Sequence, residues 1–125
     1  MAGKFELKVS STGKYHFNLK ASNGQIILTS EVYETREAAE KGIASVRKNA
    51  SREKYFERKV SNDGSVYFVL KASNGEPIGM SEMYQSRRSL ESGMASVAKN
   101  AVTAKVADPD GDDKPSGTSY PGKLR

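Results

Sequence analysis

The chain is 125 residues long, carries no cysteine and has a formal net charge of +5, which excludes a disulfide framework, a thiolate metal site and a thiol nucleophile. No apolar run approaches the ~20 residues that a membrane-spanning helix requires, and Met1-Ala2-Gly3-Lys4 leads into strand-like alternation without a signal-peptide pattern. A soluble, cytoplasmic protein is expected. The positive charge lies before Asp108, where 17 Lys and Arg face 11 Asp and Glu, an excess that suits either polyanion binding or plain solubility.

Phe5, Leu7 and Val9 alternate with Glu6, Lys8 and Ser10, the period-2 pattern of a half-buried strand. Ser11-Thr12-Gly13-Lys14 turns the chain, and Tyr15, Phe17, Leu19 and Ala21 then alternate with His16, Asn18 and Lys20 in a second strand. Asn23-Gly24 tolerates positive φ and predicts a further hairpin. A two-residue turn there puts Ile26 and Leu28 on the core face, whereas a three-residue loop with Gly24 left-handed puts Ile27 there. The matching stretch further on, Pro77-Ile78-Gly79, keeps isoleucine only at the middle position. That favours the three-residue loop, with Ile27 and Ile78 inside and Ile26 and Leu28 outside.

A helix follows, capped by Thr35, with Ala39, Gly42, Ile43, Val46 and Ala50 as its apolar stripe. Glycine inside a helix costs about 1 kcal/mol against alanine, so Gly42 predicts that the helix backbone lies close against the sheet. Asn49, where the stripe ends, suits a left-handed C-terminal cap. Arg36 stands unfavourably in the first turn beside the helix dipole and is expected to pair with Glu40. Lys54 to Val60 is strand-like again.

From there the pattern restarts. Leu19-Lys20-Ala21-Ser22-Asn23-Gly24 returns at Leu70 to Gly75, and with an offset of 51 residues Phe5 to Ala50 matches Phe56 to Ala101 at 26 of 46 positions. This is a tandem duplication, and copies of about 50 residues are too short to stand comfortably alone, so they should share a core. Ser86 caps the second helix, whose stripe is Leu90, Gly93, Met94, Val97 and Ala101, while Arg87, Glu91 and Asn100 repeat the earlier roles. Thr103 to Ala107 forms a last strand. The expected fold is α+β, with tandem β3-α-β repeats forming a single antiparallel sheet and two helices packed on one of its faces. Residues 1–107 form the domain, with repeats at about 3–54 and 55–107. Residues 108–125, rich in Asp, Pro, Gly and Ser, cannot offset the entropy of ordering and are expected to be a disordered tail.

The order Phe5, Gly13, Phe17-x-Leu19-Lys20-Ala21-x-Asn23-Gly24, Ser30-Glu31-x-Tyr33 and Gly42-Ile43-x-Ser45-Val46-x-x-Asn49, given twice, closely resembles the YegP-like proteins, a bacterial family of small domains of unknown function. The resemblance covers about residues 3–107. It implies a β3-α-β unit, used as a tandem repeat or as two subunits, in one antiparallel sheet with C-terminal strands exchanged between units. It brings no catalytic or ligand-binding residues with it.

The residues point to no catalytic site. The single histidine, His16, has Tyr67 as its counterpart and falls on the solvent side of a strand. Asp108-Pro109-Asp110-Gly111-Asp112-Asp113 has the composition of a calcium loop but lacks the glutamate of the twelfth position, and reads as a solvated linker. No metal and no cofactor are expected. Asn-Gly lies between strands, where no helix follows to complete a phosphate cradle. Ser30-Glu31 with Tyr33, and Ser81-Glu82 with Tyr84, either line a polar pocket twice or serve the structure, the tyrosines covering the helix starts and the serine or glutamate satisfying backbone amides.

What remains is the sheet face away from the helices, assigned by parity to Lys8, His16, Asn18, Lys20, Ile26 and Leu28 with Lys59, Tyr67, Val69 and Lys71. The candidate binding surface is Lys8, His16, Lys20, Lys59, Tyr67 and Lys71. Two functions fit it. One is a structural or protein-interaction module without catalytic activity, monomeric with pseudo-twofold repeats and serving an unknown protein partner. The other is a nucleic-acid-binding protein whose lysines meet phosphates while Tyr67 stacks on bases.

Overall fold

Four glycines with φ between +84° and +89°, Gly13, Gly24, Gly64 and Gly75, set four hairpin turns in a computed structural model that describes residues 3–107. The expected disordered tail, 108–125, lies outside the described residues. The elements are β1 (Lys4–Val9), β2 (Tyr15–Lys20), β3 (Ile26–Ser30), α1 (Arg36–Asn49), a 3-10 turn (Glu53–Tyr55), β4 (Phe56–Val60), β5 (Val66–Lys71), β6 (Pro77–Met80), α2 (Arg87–Thr103) and β7 (Lys105–Ala107). Seven strands make one sheet in the order β4-β5-β6-β3-β2-β1-β7. The copies meet at its centre, where β3 and β6 pair antiparallel.

The sheet is mostly antiparallel, which corrects the expectation of a wholly antiparallel one. β7 lies parallel to β1, with Lys4 beside Lys105 and Glu6 beside Ala107. Residue alternation announces a strand but not its direction, which is set by where α2 delivers the chain.

The hairpin after β2 has the three-residue loop: Ala21 N–H bonds Gln25 C=O and Gly24 N–H bonds Ala21 C=O, both at 2.9 Å. Ile27 and Ile78 are buried as expected. Leu28 is not on the outer face as parity had it; it is fully buried. The reason is a second irregularity, because Lys20 pairs with Ile26 and Leu19 with Leu28. Ile27 is therefore the extra residue of a bulge that resets the alternation. Copy two does the same, with Lys71 opposite Pro77 and Leu70 opposite Gly79. A Cβ on Gly79 would lie 2.7 Å from Thr29 C=O, so leucine cannot recur there.

Phe5, Leu7, Phe17, Leu19, Phe56, Phe68 and Leu70 share one core with the helical residues Ala39, Ile43, Val46, Leu90, Met94, Val97 and Ala101. Edge-to-face rings, Phe5 on Phe17 at 5.7 Å and Phe56 on Phe68 at 5.2 Å, mark its two halves. Thr35 and Ser86 cap the helices, accepting bonds from the N–H groups of Ala38 and Ser89.

Asn49 and Asn100 are not left-handed caps, since no residue other than glycine has positive φ among the described residues. Both are buried helical residues whose amides donate one turn back, Asn49 to Ser45 Oγ and Asn100 to Ser96. Gly42 lies close against the sheet as expected, a Cβ there meeting the Phe17 ring of β2 at 3.0 Å, and a tyrosine crowds each helix glycine more closely still. Tyr33 stacks on Phe17 with ring centroids 6.3 Å apart, and a Cβ on Gly42 would meet its hydroxyl at 2.6 Å. Tyr84 stands in the same relation to Phe68 and Gly93.

Ser30 and Ser81 serve the structure. Ser30 Oγ accepts Phe17 N–H at 2.8 Å and donates to Glu31 C=O at 2.7 Å, and Ser81 does the same for Phe68 and Glu82 at 3.0 and 2.7 Å. Each serine thus fills a gap in the ladder where the chain leaves the sheet towards its helix.

Candidate interaction face of the sheet

Strand parity and register place six residues in a row across the face that turns away from the core. From β4 to β1 they are Glu57, Val69, Met80, Thr29, Asn18 and Glu6, each opposite its neighbour on the next strand. Residues at equal distance from the centre are repeat equivalents. The copies differ there. Copy two gives the apolar Val69 and Met80, the latter 38% exposed, and copy one gives Asn18 and Thr29, joined by a 2.9 Å hydrogen bond. Asn18 is buried under its neighbours although parity had it as a surface residue.

The six residues singled out in the sequence come together on this face in two equivalent groups. Lys8 pairs with His16 on β1 and β2, and Lys59 with Tyr67 on β4 and β5. Lys20 and Lys71 stand beside Glu6 and Glu57. The glutamates are the residues that sequence reasoning passed over. Glu6 lies 3.2 Å from Lys20, 3.7 Å from Lys8 and 4.0 Å from Lys4. Glu57 lies 2.5 Å from Lys71 and 3.7 Å from Lys59. A signal was present: parity already put Glu6 on the side of Lys8, and both glutamates recur at the 51-residue offset.

Burial works to raise the Glu6 carboxyl, and the Lys20 hydrogen bond with the charges of Lys20, Lys8 and Lys4 outweighs it, leaving it below its ordinary value. Glu57 is lowered chiefly by its hydrogen bond from Lys71. Both are anions at neutral pH, so five lysines face two carboxylates and the clusters keep three positive charges. Strands sit ~4.8 Å apart, so the two clusters, five strand intervals from each other, are separated by about 24 Å. An apolar and hydroxyl strip lies between them.

A groove of about 350 Å³ runs elsewhere, between α1 and β7, lined by Arg36, Glu40, Ile43, Ala44, Arg47 and Val106. Arg36 pairs with Glu40 at 3.0 Å, as its spacing predicted. Arg47 lies over the Phe5 ring and donates to Ala101 C=O at 3.2 Å. The groove brings no nucleophile to a base, and His16 is not among its residues.

The family described as "Domain of unknown function (DUF1508)" matches residues 10–57 and again 61–108, the same 51-residue step as the internal repeat. The chain belongs to the UPF0339 (YegP) family. It is 50% identical over 108 residues to UPF0339 protein YegP of Escherichia coli K12, covering 86% of this chain and 98% of that one. A UPF0339 protein of Pseudomonas aeruginosa is 48% identical with the same coverage. The solution NMR structure of E. coli YegP, described as a protein of unknown function, matches with a TM-score of 0.82 at 47% identity, covering 94% of this chain and 97% of that one. A UPF0339 protein of Shewanella oneidensis, also solved by NMR, matches at 0.81 with 41% identity, covering 86% and 92%. UPF0339 proteins are thus an uncharacterised bacterial family, and no catalytic role comes with these relatives. Among the described residues, no helix is long and apolar enough to cross a membrane.

Proposed function

We propose that this UPF0339 protein is a monomeric, cytoplasmic, non-catalytic interaction module that docks an acidic protein partner on the outer face of its sheet. In this reading residues 1–107 act as one domain of two β3-α-β repeats, both helices cover one face, and the other is left for the partner. The observation that carries it is the row from Glu57 to Glu6, with half-buried Val69 and exposed Met80 inside two lysine clusters. Apolar contact at the centre and charge at the rim is the usual anatomy of a protein interface. The same positive charge opposes face-to-face pairing of two copies and favours a partner of opposite sign.

Nucleic-acid binding is the alternative. It is less favoured because the middle of the row offers Val69, Met80, Thr29 and Asn18 rather than aromatic rings on which successive bases could stack. Capture from a nuclease-treated lysate with wild type, with Lys20→Glu/Lys71→Glu and with Lys48→Glu on the helix as control separates the readings. A protein retained by wild type and the control but lost from the double variant supports the proposal. Capture that ignores the double variant overturns it. So does single-stranded RNA or DNA binding by wild type that falls steeply as salt rises.

A further inference from the structure

β1 and β4 are repeat equivalents with nearly one sequence, Phe5-Glu6-Leu7-Lys8-Val9 and Phe56-Glu57-Arg58-Lys59-Val60. Their edges are treated differently. β7 lies along β1, whereas β4 ends the sheet with β5 as its one neighbour among the described strands. Ser61 N–H to Ser65 C=O, at 2.8 Å, closes the β4–β5 hairpin. The alternation of the antiparallel ladder then turns the main-chain groups of Phe56, Arg58 and Val60 outward. Phe56 N–H is already taken by Glu53 C=O in the 3-10 turn. Phe56 C=O and both groups of Arg58 and Val60 face the open edge.

This edge is complementary to itself. Laid antiparallel on a second copy with Arg58 on the twofold axis, β4 sets Glu57 opposite Lys59, Lys59 opposite Glu57 and Phe56 opposite Val60. Opposite charges and apolar pairs in those places stabilise a sheet. The exception is Arg58 opposite Arg58, like charges in direct apposition. Glu91 of α2 at 2.6 and 3.0 Å and Glu53 of the 3-10 turn at 2.9 Å hold that guanidinium, and pairing would bury both of these partly exposed ionic clusters against each other. In copy one the residue is Leu7, 1% exposed, and there β7 supplies the cover.

We propose that the free edge of β4 is a latent pairing surface for a second copy of this chain and that Arg58 holds it closed. An inward charge on an edge strand is one of the devices by which sheets avoid edge-to-edge association. The inference does not depend on what the outer face binds.

Sedimentation of the full chain tests it. Wild type should sediment at the monomer mass of 13.6 kDa at every concentration. Arg58→Leu, which gives β4 the residue of β1, should sediment at twice that mass as concentration rises. Arg58→Thr, neutral and suited to a strand, should do the same and covers the case in which the leucine variant precipitates. Adding Val60→Pro removes an outward N–H and should restore the monomer, while Arg58→Lys should never leave it. Folded variants that stay monomeric without the charge overturn the proposal, as does association that survives Val60→Pro or a wild type already dimeric through this edge.

Discussion

Thr29 and Met80 pair with each other across β3 and β6 and are also each other's repeat equivalents, 51 residues apart, so the pseudo-twofold axis of the sheet passes between them. A residue on such an axis meets its own counterpart, and divergence there has given one polar and one apolar half. Met80 lies on the exposed face, whereas Leu28, one position before Thr29, lies fully in the core.

Met80→Thr should therefore change stability by less than about 0.5 kcal/mol, while Leu28→Ala should cost about 2 to 5 kcal/mol. Urea denaturation of both variants checks this. A comparable loss from each would mean that something covers the outer face.

Ser30→Ala and Ser81→Ala should each cost roughly 1 to 3 kcal/mol, because each leaves a buried amide, of Phe17 or Phe68, without an acceptor. Hydrogen exchange should quicken at that amide in the altered copy. Unchanged protection at Phe17 in Ser30→Ala would show that another group takes the bond.

Gly42→Ala should destabilise the protein by about 1 to 3 kcal/mol through overpacking, although alanine is the better helix former by about 1 kcal/mol. Tyr33→Phe removes the nearest atom, so the double variant should recover part of the loss, with a coupling of about 0.5 kcal/mol or more. Additive losses would mean that the Phe17 ring, 3.0 Å from the same Cβ, is the real obstacle.

Asp63 in the β4–β5 turn accepts hydrogen bonds from Ser61 Oγ at 2.5 Å and Ser65 N–H at 2.9 Å. These hold its carboxyl down to about 2 from an ordinary 3.8. A depressed carboxyl stabilises the fold above its unfolded value and loses that contribution as pH falls through the folded one. Asp63→Asn should therefore be less stable than wild type at neutral pH, and the difference should close between about pH 4 and pH 2. An NMR titration midpoint near 3.8 would contradict it.

Residues 1–61 alone lose β7 from one edge of their sheet and β6 from the other. The fragment should be unfolded, or a dimer in which the segment from Lys54 to Val60 enters the other chain's sheet. Circular dichroism with sedimentation decides; a folded monomer would make each copy self-sufficient.

Much of this architecture was legible because it follows from local chemistry. Alternation at Phe5 to Val9, Asn-Gly at the turn, and Thr35 and Ser86 before an apolar stripe each act within a few residues. The errors share a cause. The bulge at Ile27 depends on how β3 is received by β2, and it alone decides that Leu28 goes inward. The direction of β7 depends on a partner about 100 residues away; at Gly42 the approach to the sheet was legible, and only the tyrosine from the preceding connection was missed. On the outer face, attention to lysines hid Glu6 and Glu57, which determine how much of that charge is available.

The parallel pairing of β7 with β1 also orders events in time. The strand made first among those described is sheltered by the one made last, and at ~5 to 20 residues per second about 100 residues take roughly 5 to 20 s to synthesise. Until β7 arrives, the edge of Phe5 to Val9, which lacks the arginine of its counterpart, has no strand to cover it. Neighbouring nascent chains on one message carry the same edge. Released chains that end before Lys105 should accordingly be more readily cleaved by protease at β1 than chains extended past Ala107.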